Sequence, residues 1–130
     1  MLFRSDLIAL MRGTAAISAL AGDRVSAFDH PQGKGVPYVT AVTISGAEGL
    51  TLKGRDGLTD ARAQIDCYDR TRAGAKALAR AVITALHGHR GARFRLVSHL
   101  GTRDSREGGT NEAERLYRVS LDFGMKWRAS

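Results

Sequence analysis

The chain predicts an α+β fold, an antiparallel sheet of about four main strands with helices packed on one face, in the order α-β-β-α-β-β. Residues 61–68 and 117–127 alternate apolar and polar side chains with the two-residue period of half-buried strands. Between them, Ala75, Leu78, Ala79, Val82, Ile83 and Leu86 form one apolar stripe at helical spacing. Strands that come in pairs, separated by helices, favour an antiparallel sheet with helices to one side over a parallel α/β arrangement.

At the start, Leu7, Ile8, Leu10 and Met11 recur at helical spacing, with Ser5 placed to cap the helix and Asp6 in its first turn. Gly13-Thr14 interrupts, and Thr14 can cap a second short turn carrying Ile17 and Leu20 up to Gly22. Residues 22–38 then run extended through Pro31 and Pro37, the only two prolines. Each proline fixes its own φ and moves the preceding residue out of the α region. A short strand is expected at 25–29, and a β-branched one at 38–45. Residues 46–60 hold four glycines and mixed charge, which predicts a long loop or an extended hairpin arm.

In the next strand Ala61, Ala63, Ile65 and Cys67 face one side, and Arg62, Gln64, Asp66 and Tyr68 the other. Asp69 or Thr71 can cap the main helix, whose polar row is Arg72, Lys76, Arg80 and Thr84, and Gly88 follows its end. Residues 94–100 read as a third main strand and 101–113 as a second long polar loop, marked by Gly108-Gly109. In the last strand Tyr117, Val119, Leu121, Phe123, Met125 and Trp127 alternate with Arg118, Ser120, Asp122, Gly124 and Lys126.

A length of 130 residues suits one domain, 1–130, with an ordinary apolar fraction. No stretch approaches the ~20 apolar residues of a membrane span. Arg4, Asp6 and Arg12 break the N-terminal segment too early for a signal peptide, so a soluble chain made in the cytoplasm is expected. Cys67 is the single cysteine, which excludes an internal disulfide or a thiolate metal cluster. The formal charge is +7. It could attract nucleic acid, but the basic residues are spread along the chain, and net charge informs association more than fold.

Enzyme patterns fail on inspection. Gly33-Lys34-Gly35 lacks the spacing and following Ser or Thr of a phosphate loop, and it precedes a strand where such a loop would follow one. His87 and His89 have no nearby carboxylate or cysteine to complete a metal site, and they suit the negative end of the preceding helix, facing solvent. Asp66 and Asp69 lack a third catalytic partner, and Cys67 falls on the apolar side of its strand. No catalytic residue, cofactor or metal is expected. Arg90, Arg93, Arg95, Arg103 and Arg106 could touch DNA, but no aromatics interleave with them as stacking platforms. Non-specific nucleic-acid binding is thus the alternative reading.

Gly22-Asp23-Arg24-Val25, a spacer with Pro31-Gln32-Gly33, Pro37-Tyr38-Val39, and Gln64-Ile65-Asp66-Cys67-Tyr68 followed by a helix with Gly74, Ala75 and Lys76 carry a resemblance. They are similar to the opening and core strands of the tail-completion (tail-terminator, head-to-tail joining) proteins of long-tailed bacteriophages, a family also found in gene transfer agents. Beyond Leu86 the likeness is one of pattern. The resemblance implies a virion protein of the head-proximal tail end, forming a ring, usually a hexamer, that stops tail-tube polymerisation. Its implied partners are itself, the tail tube protein and the head-tail connector or stopper protein, with non-specific contact to passing DNA and no membrane. Connections as long as 46–60 and 101–113 are uncommon unless they serve binding or are solvated, partly disordered loops. Leu50, Thr51, Leu52 and Lys53 in the first, and Arg103, Arg106 and Glu107 in the second, are therefore the expected subunit or tail-tube contacts.

Overall fold

A computed structural model of the chain describes residues 2–22, 24–27, 35–51, 54–91, 94–108 and 115–128. Its elements follow the order α1 (Leu2–Arg12), α2 (Ala15–Ala21), β1 (Val25–Ala27), β2 (Tyr38–Thr51), β3 (Gly54–Asp69), α3 (Arg72–Leu86), β4 (Phe94–Gly108) and β5 (Arg115–Arg128). The strands form one sheet in the order β1-β2-β3-β5-β4.

The α+β class holds, but the sheet is mixed and has five strands where four antiparallel ones were expected. The fifth, β1, runs parallel to β2, pairing Val25 with Val39 and Ala27 with Ala41. A three-residue strand carries no directional pattern of its own; its place is set by its contacts. Val25 is fully buried, and the Arg12 guanidinium donates to the Val25 carbonyl at 2.7 and 3.2 Å, tying α1 to β1. The Val39 amide donates to the Arg24 carbonyl, fastening the start of β2 to the same segment.

All three helices contribute to a single apolar core on one face of the sheet. Leu7, Met11, Ile17, Leu78, Val82 and Leu86 meet Val39, Ile65, Cys67, Leu121 and Phe123 there, all at 1% exposure or less. The alternation expected in β3 and β5 is what places these strand residues inward. Cys67 is buried as expected, and burial first, then the neighbouring Asp66 charge, pushes its thiol above the ordinary range.

Several ends differ from expectation. Helix α1 begins at Leu2, so Ser5 lies within it and Asp6 sits past the first turn. Asp6 instead accepts a 2.9 Å hydrogen bond from the Trp127 indole, joining α1 to β5. Thr14 does precede α2, but its hydroxyl donates to the Leu10 carbonyl and makes no cap bond. Gly22 closes that helix with a φ of 60°, which suits a residue without Cβ. Thr71 caps α3 by accepting from the Gly74 amide at 3.0 Å, while Asp69 accepts from the Arg70 amide. At the other end Gly88, φ 80°, donates to the Val97 carbonyl and turns the chain into β4. Pro31, Gly33 and Lys34 lie outside the described residues.

The larger correction concerns residues 101–113. Residues 101–108 are not a loop: they continue β4 and pair with β5 as far as Gly108 opposite Arg115. Polar side chains alone suggest a loop, yet a strand at a sheet edge with one open face can be polar on both sides. Residues 46–60, by contrast, take the second of their two expected forms, the hairpin arm, with β2 running to Thr51 and β3 starting at Gly54.

Candidate assembly surface

The two hairpins end at opposite poles of the sheet. β3 pairs with β5 from Leu58–Arg128 to Asp69–Tyr117. The β2–β3 arm therefore continues past the last residue of β5, where Leu50 pairs with Arg55 and Thr51 with Gly54. The β4–β5 hairpin overruns the other end, where Glu107 pairs with Leu116. At about 3.3 Å per residue, the 16 residues of β3 set these poles on the order of 50 Å apart.

Opposite the helices, the sheet presents a face covered by no other described element. Its register aligns Tyr38, Tyr68, Arg118 and Ser105 in one row. The tyrosine rings stack at 4.5 Å between centroids, and Arg118 donates to the Ser105 hydroxyl at 2.9 Å. The next row holds Thr40, Asp66, Ser120 and Arg103, of which the first three are only 4–5% exposed. Asp66 is satisfied there by the Gln64 amide, which donates to both its carboxylate oxygens at 3.0 and 3.1 Å. Arg103 bridges Gln64 and Asp122 at 3.3 and 3.4 Å. These groups form a cross-linked polar lattice that stiffens the face without a second layer.

Towards the β2–β3 arm the sheet exposes two large apolar side chains near its edges. Ile44 and Leu100, 56% and 53% exposed, both sit where the pairing register slips, between Thr43 and Ser45 in β2 and between His99 and Gly101 in β4. A bulge re-aims the side chain of its extra residue. The row Thr43–Ala63–Phe123–His99 crosses the sheet between them, so the two residues stand at one height near its opposite edges. Beside Leu100 lies an open groove of about 400 Å³ lined by Leu96, Gly124, Arg62, Asp60 and Lys126 among others. Lys126 and Asp60 pair across its rim at 2.7 Å.

On the helical side Arg72 and Lys76 of α3 both reach Asp104 of β4, at 3.4 and 3.3 Å. Partial burial is the largest single influence on the Asp104 carboxyl and acts upward, but hydrogen bonds and charge from Lys76 and Arg72 outweigh it and hold it below the ordinary carboxylate range. Its stabilisation is therefore present above the unfolded-state value and lost as pH falls through the lower folded one. Asp104→Asn should flatten the acid side of a plot of melting temperature against pH; a slope unchanged from wild type would refute this. The effect is expected to be small because the pair is exposed.

The structure separates the predicted contact residues. Leu50 and Thr51 lie at one pole, Leu52 and Lys53 lie outside the described residues, and Arg106 and Glu107 are strand positions at the other pole. Arg103, also in β4 and not in a loop, belongs to the polar lattice between them. His87 is exposed as expected, but its Nδ1 accepts from the His99 amide at 3.0 Å and so anchors β4 to the end of α3. Among the described residues no group of three or more His, Cys, Asp or Glu side chains could hold a metal ion, and no helix is long and apolar enough to cross a membrane. The exposure of Ile44 and Leu100 is not legible in the sequence, because an alternating pattern does not mark a bulge.

A family model described as tail completion protein gp17 matches residues 5–126. Among solved structures, the chain is similar to one from the virion of a native gene transfer agent particle, with a TM-score of 0.65 and 24% identity. The alignment covers 93% of this chain and 90% of that one, and at this identity the likeness is one of fold. No curated protein matches the chain.

Proposed function

The chain belongs to the tail completion protein gp17 family, and from that premise we propose that it is a structural protein of a phage-like virion, one domain over residues 1–130, acting at the head-proximal end of the tail. Copies close into a ring, a hexamer by family resemblance, that ends tube polymerisation and joins the tail to the head connector. The work is steric and associative, with no catalytic step. The family match over residues 5–126 carries this reading. The form of the subunit supports it: hairpins at opposite poles suit a part that must meet one neighbour above and another below. The arm at Leu50–Lys53, Arg103 within the polar lattice, and the strand end at Arg106 and Glu107 serve as contacts with neighbouring subunits or the tube. Charged groups at such rims set partner choice and approach more than affinity.

Electron microscopy of particles assembled without this protein tests the proposal. Overlong or headless tails are expected; normal particles would overturn it.

A second reading, non-specific nucleic-acid binding, draws on one observation. Helix α3 carries Arg72, Lys76 and Arg80 in an exposed row and no acidic residue. Contact with DNA passing through the ring would reconcile the two readings.

A further inference from the structure

The two edges of the sheet are finished differently. On one side β1 is three residues long, and β2 beyond Ala41 is interrupted by two register shifts. Short strands and bulges are ordinary ways to keep an edge from pairing with another chain. On the other side β4 is the last strand among the described residues. Its outer edge is occupied as far as His99: the Gly88 amide donates to the Val97 carbonyl, and the His99 amide donates to His87 Nδ1. Past the extra residue Leu100, β4 stays in unbroken register with β5 from Gly101 to Gly108. Among the described residues no backbone group bonds to the outer edge of 102–108, a stretch longer than the usual strand of about 5–6 residues.

Such an edge offers its N–H and C=O groups to another strand. Charge on an edge usually discourages this, because copies carrying like charges repel. The charges here are ordered otherwise. Arg103-Asp104-Ser105-Arg106-Glu107 reads plus, minus, neutral, plus, minus. Reversing the segment about Ser105 exchanges the signs: Arg103 falls opposite Glu107, and Asp104 opposite Arg106. Antiparallel pairing with a second copy, centred on Ser105, therefore sets an opposite charge across from every charge in the segment. Side chains directly opposite share a face and attract when their charges differ. Arg103 lies on the open face, with Gln64 and Asp122, and Asp104 on the helical side, with Arg72 and Lys76. Moving the centre to Asp104 or to Arg106 would set that residue against its own copy, like charge on like.

We propose that two copies join through residues 102–108 of β4, antiparallel about a two-fold axis at Ser105, so that their sheets run on as one. The occupant is a second copy of this chain, because the charge order complements its own reverse. A two-fold contact closes on two molecules. It is therefore a state of the free subunit, separate from the ring contact, and it covers an edge to which other chains could add.

Charge exchange tests it. In Asp104→Lys the introduced lysine meets Arg106 of the other copy, and in Arg106→Glu the introduced glutamate meets Asp104. Asp104 is exposed, so its replacement leaves the core untouched. Sedimentation velocity should show a concentration-dependent dimer for the wild-type chain. Each variant alone should raise the dissociation constant about tenfold or more, with circular dichroism unchanged. An equimolar mixture of the two variants should recover the dimer, because every charge then meets its opposite again. Ser105→Cys, set against its own copy at the axis, should give a disulfide-linked dimer on mild oxidation, whereas Thr102→Cys, set against Gly108, should not. Cys67 is fully buried and does not compete. Wild-type self-association that both single variants keep would overturn the proposal, and so would a mixture that associates no more tightly than its components. A wild-type monomer at every concentration, with no cross-link from Ser105→Cys, would overturn it too. None of these outcomes bears on the ring, which particles assembled without this protein test separately.

Discussion

Replacing Phe123 with alanine is expected to destabilise the fold by about 3–5 kcal/mol, the range for deleting a buried aromatic ring. Phe123 is completely buried and is the largest side chain so enclosed among the described residues. It sits on β5, which is hydrogen-bonded on both sides, to β3 and to β4. Its cross-strand neighbours are Ala63, too small to fill the space, and His99, whose ring lies 5.4 Å away and is held by Thr102 and the Gly101 carbonyl. Fixed backbone on both flanks prevents collapse into the cavity, which places the cost towards the upper part of the range. Urea denaturation of the variant reads this directly. A loss under about 1 kcal/mol would mean that the surroundings repack freely and that the flanking strands do not hold the cavity open. Set against the roughly 5–15 kcal/mol that holds an ordinary domain together, the expected loss leaves little margin.

Asp6→Ala should cost about 1–3 kcal/mol, the range for removing one partner of a buried hydrogen bond. The indole of Trp127, 8% exposed, donates to Asp6 at 2.9 Å, across 121 residues of sequence. This bond links the first helix to the last strand. A double-mutant cycle isolates it: Trp127→Phe removes the donor and keeps most of the ring. If the bond is the cause, Asp6→Ala should cost clearly less when combined with Trp127→Phe than it does in the wild type. Equal cost in both backgrounds would assign the effect to the other contacts of Asp6.

What was legible in the sequence was whatever repeated. The stripe from Ala75 to Leu86 and the alternations of β3 and β5 give a helix and two strands whose inward faces are as expected. The cap of α3 was readable to within two candidates, Asp69 and Thr71, of which Thr71 fills the place. Features fixed by partners distant in sequence were not readable. Residues 101–108 are polar throughout and became strand only because β5 offers a matching edge. The parallel direction of β1 depends on Arg12 and Val39. Asp6 was expected to serve its own helix, and Trp127 claims it instead. Of the candidate surface, the sequence marks less. The long connections pointed to projecting arms, but Ile44 and Leu100 look in sequence like ordinary strand residues, and only the register exposes them.

The strand order has a consequence for how the molecule forms. Two of its antiparallel ladders, β2–β3 and β4–β5, are hairpins between strands adjacent in the chain. The third, β3–β5, pairs residues 48 to 70 positions apart and is the single seam where the halves meet. Loop-closure entropy, the main brake on β-sheet formation, is thus concentrated in one docking event. Each hairpin can zip early and locally, and α3 then bridges them by packing against both β3 and β5. A subunit built this way acquires its arms before it acquires its core.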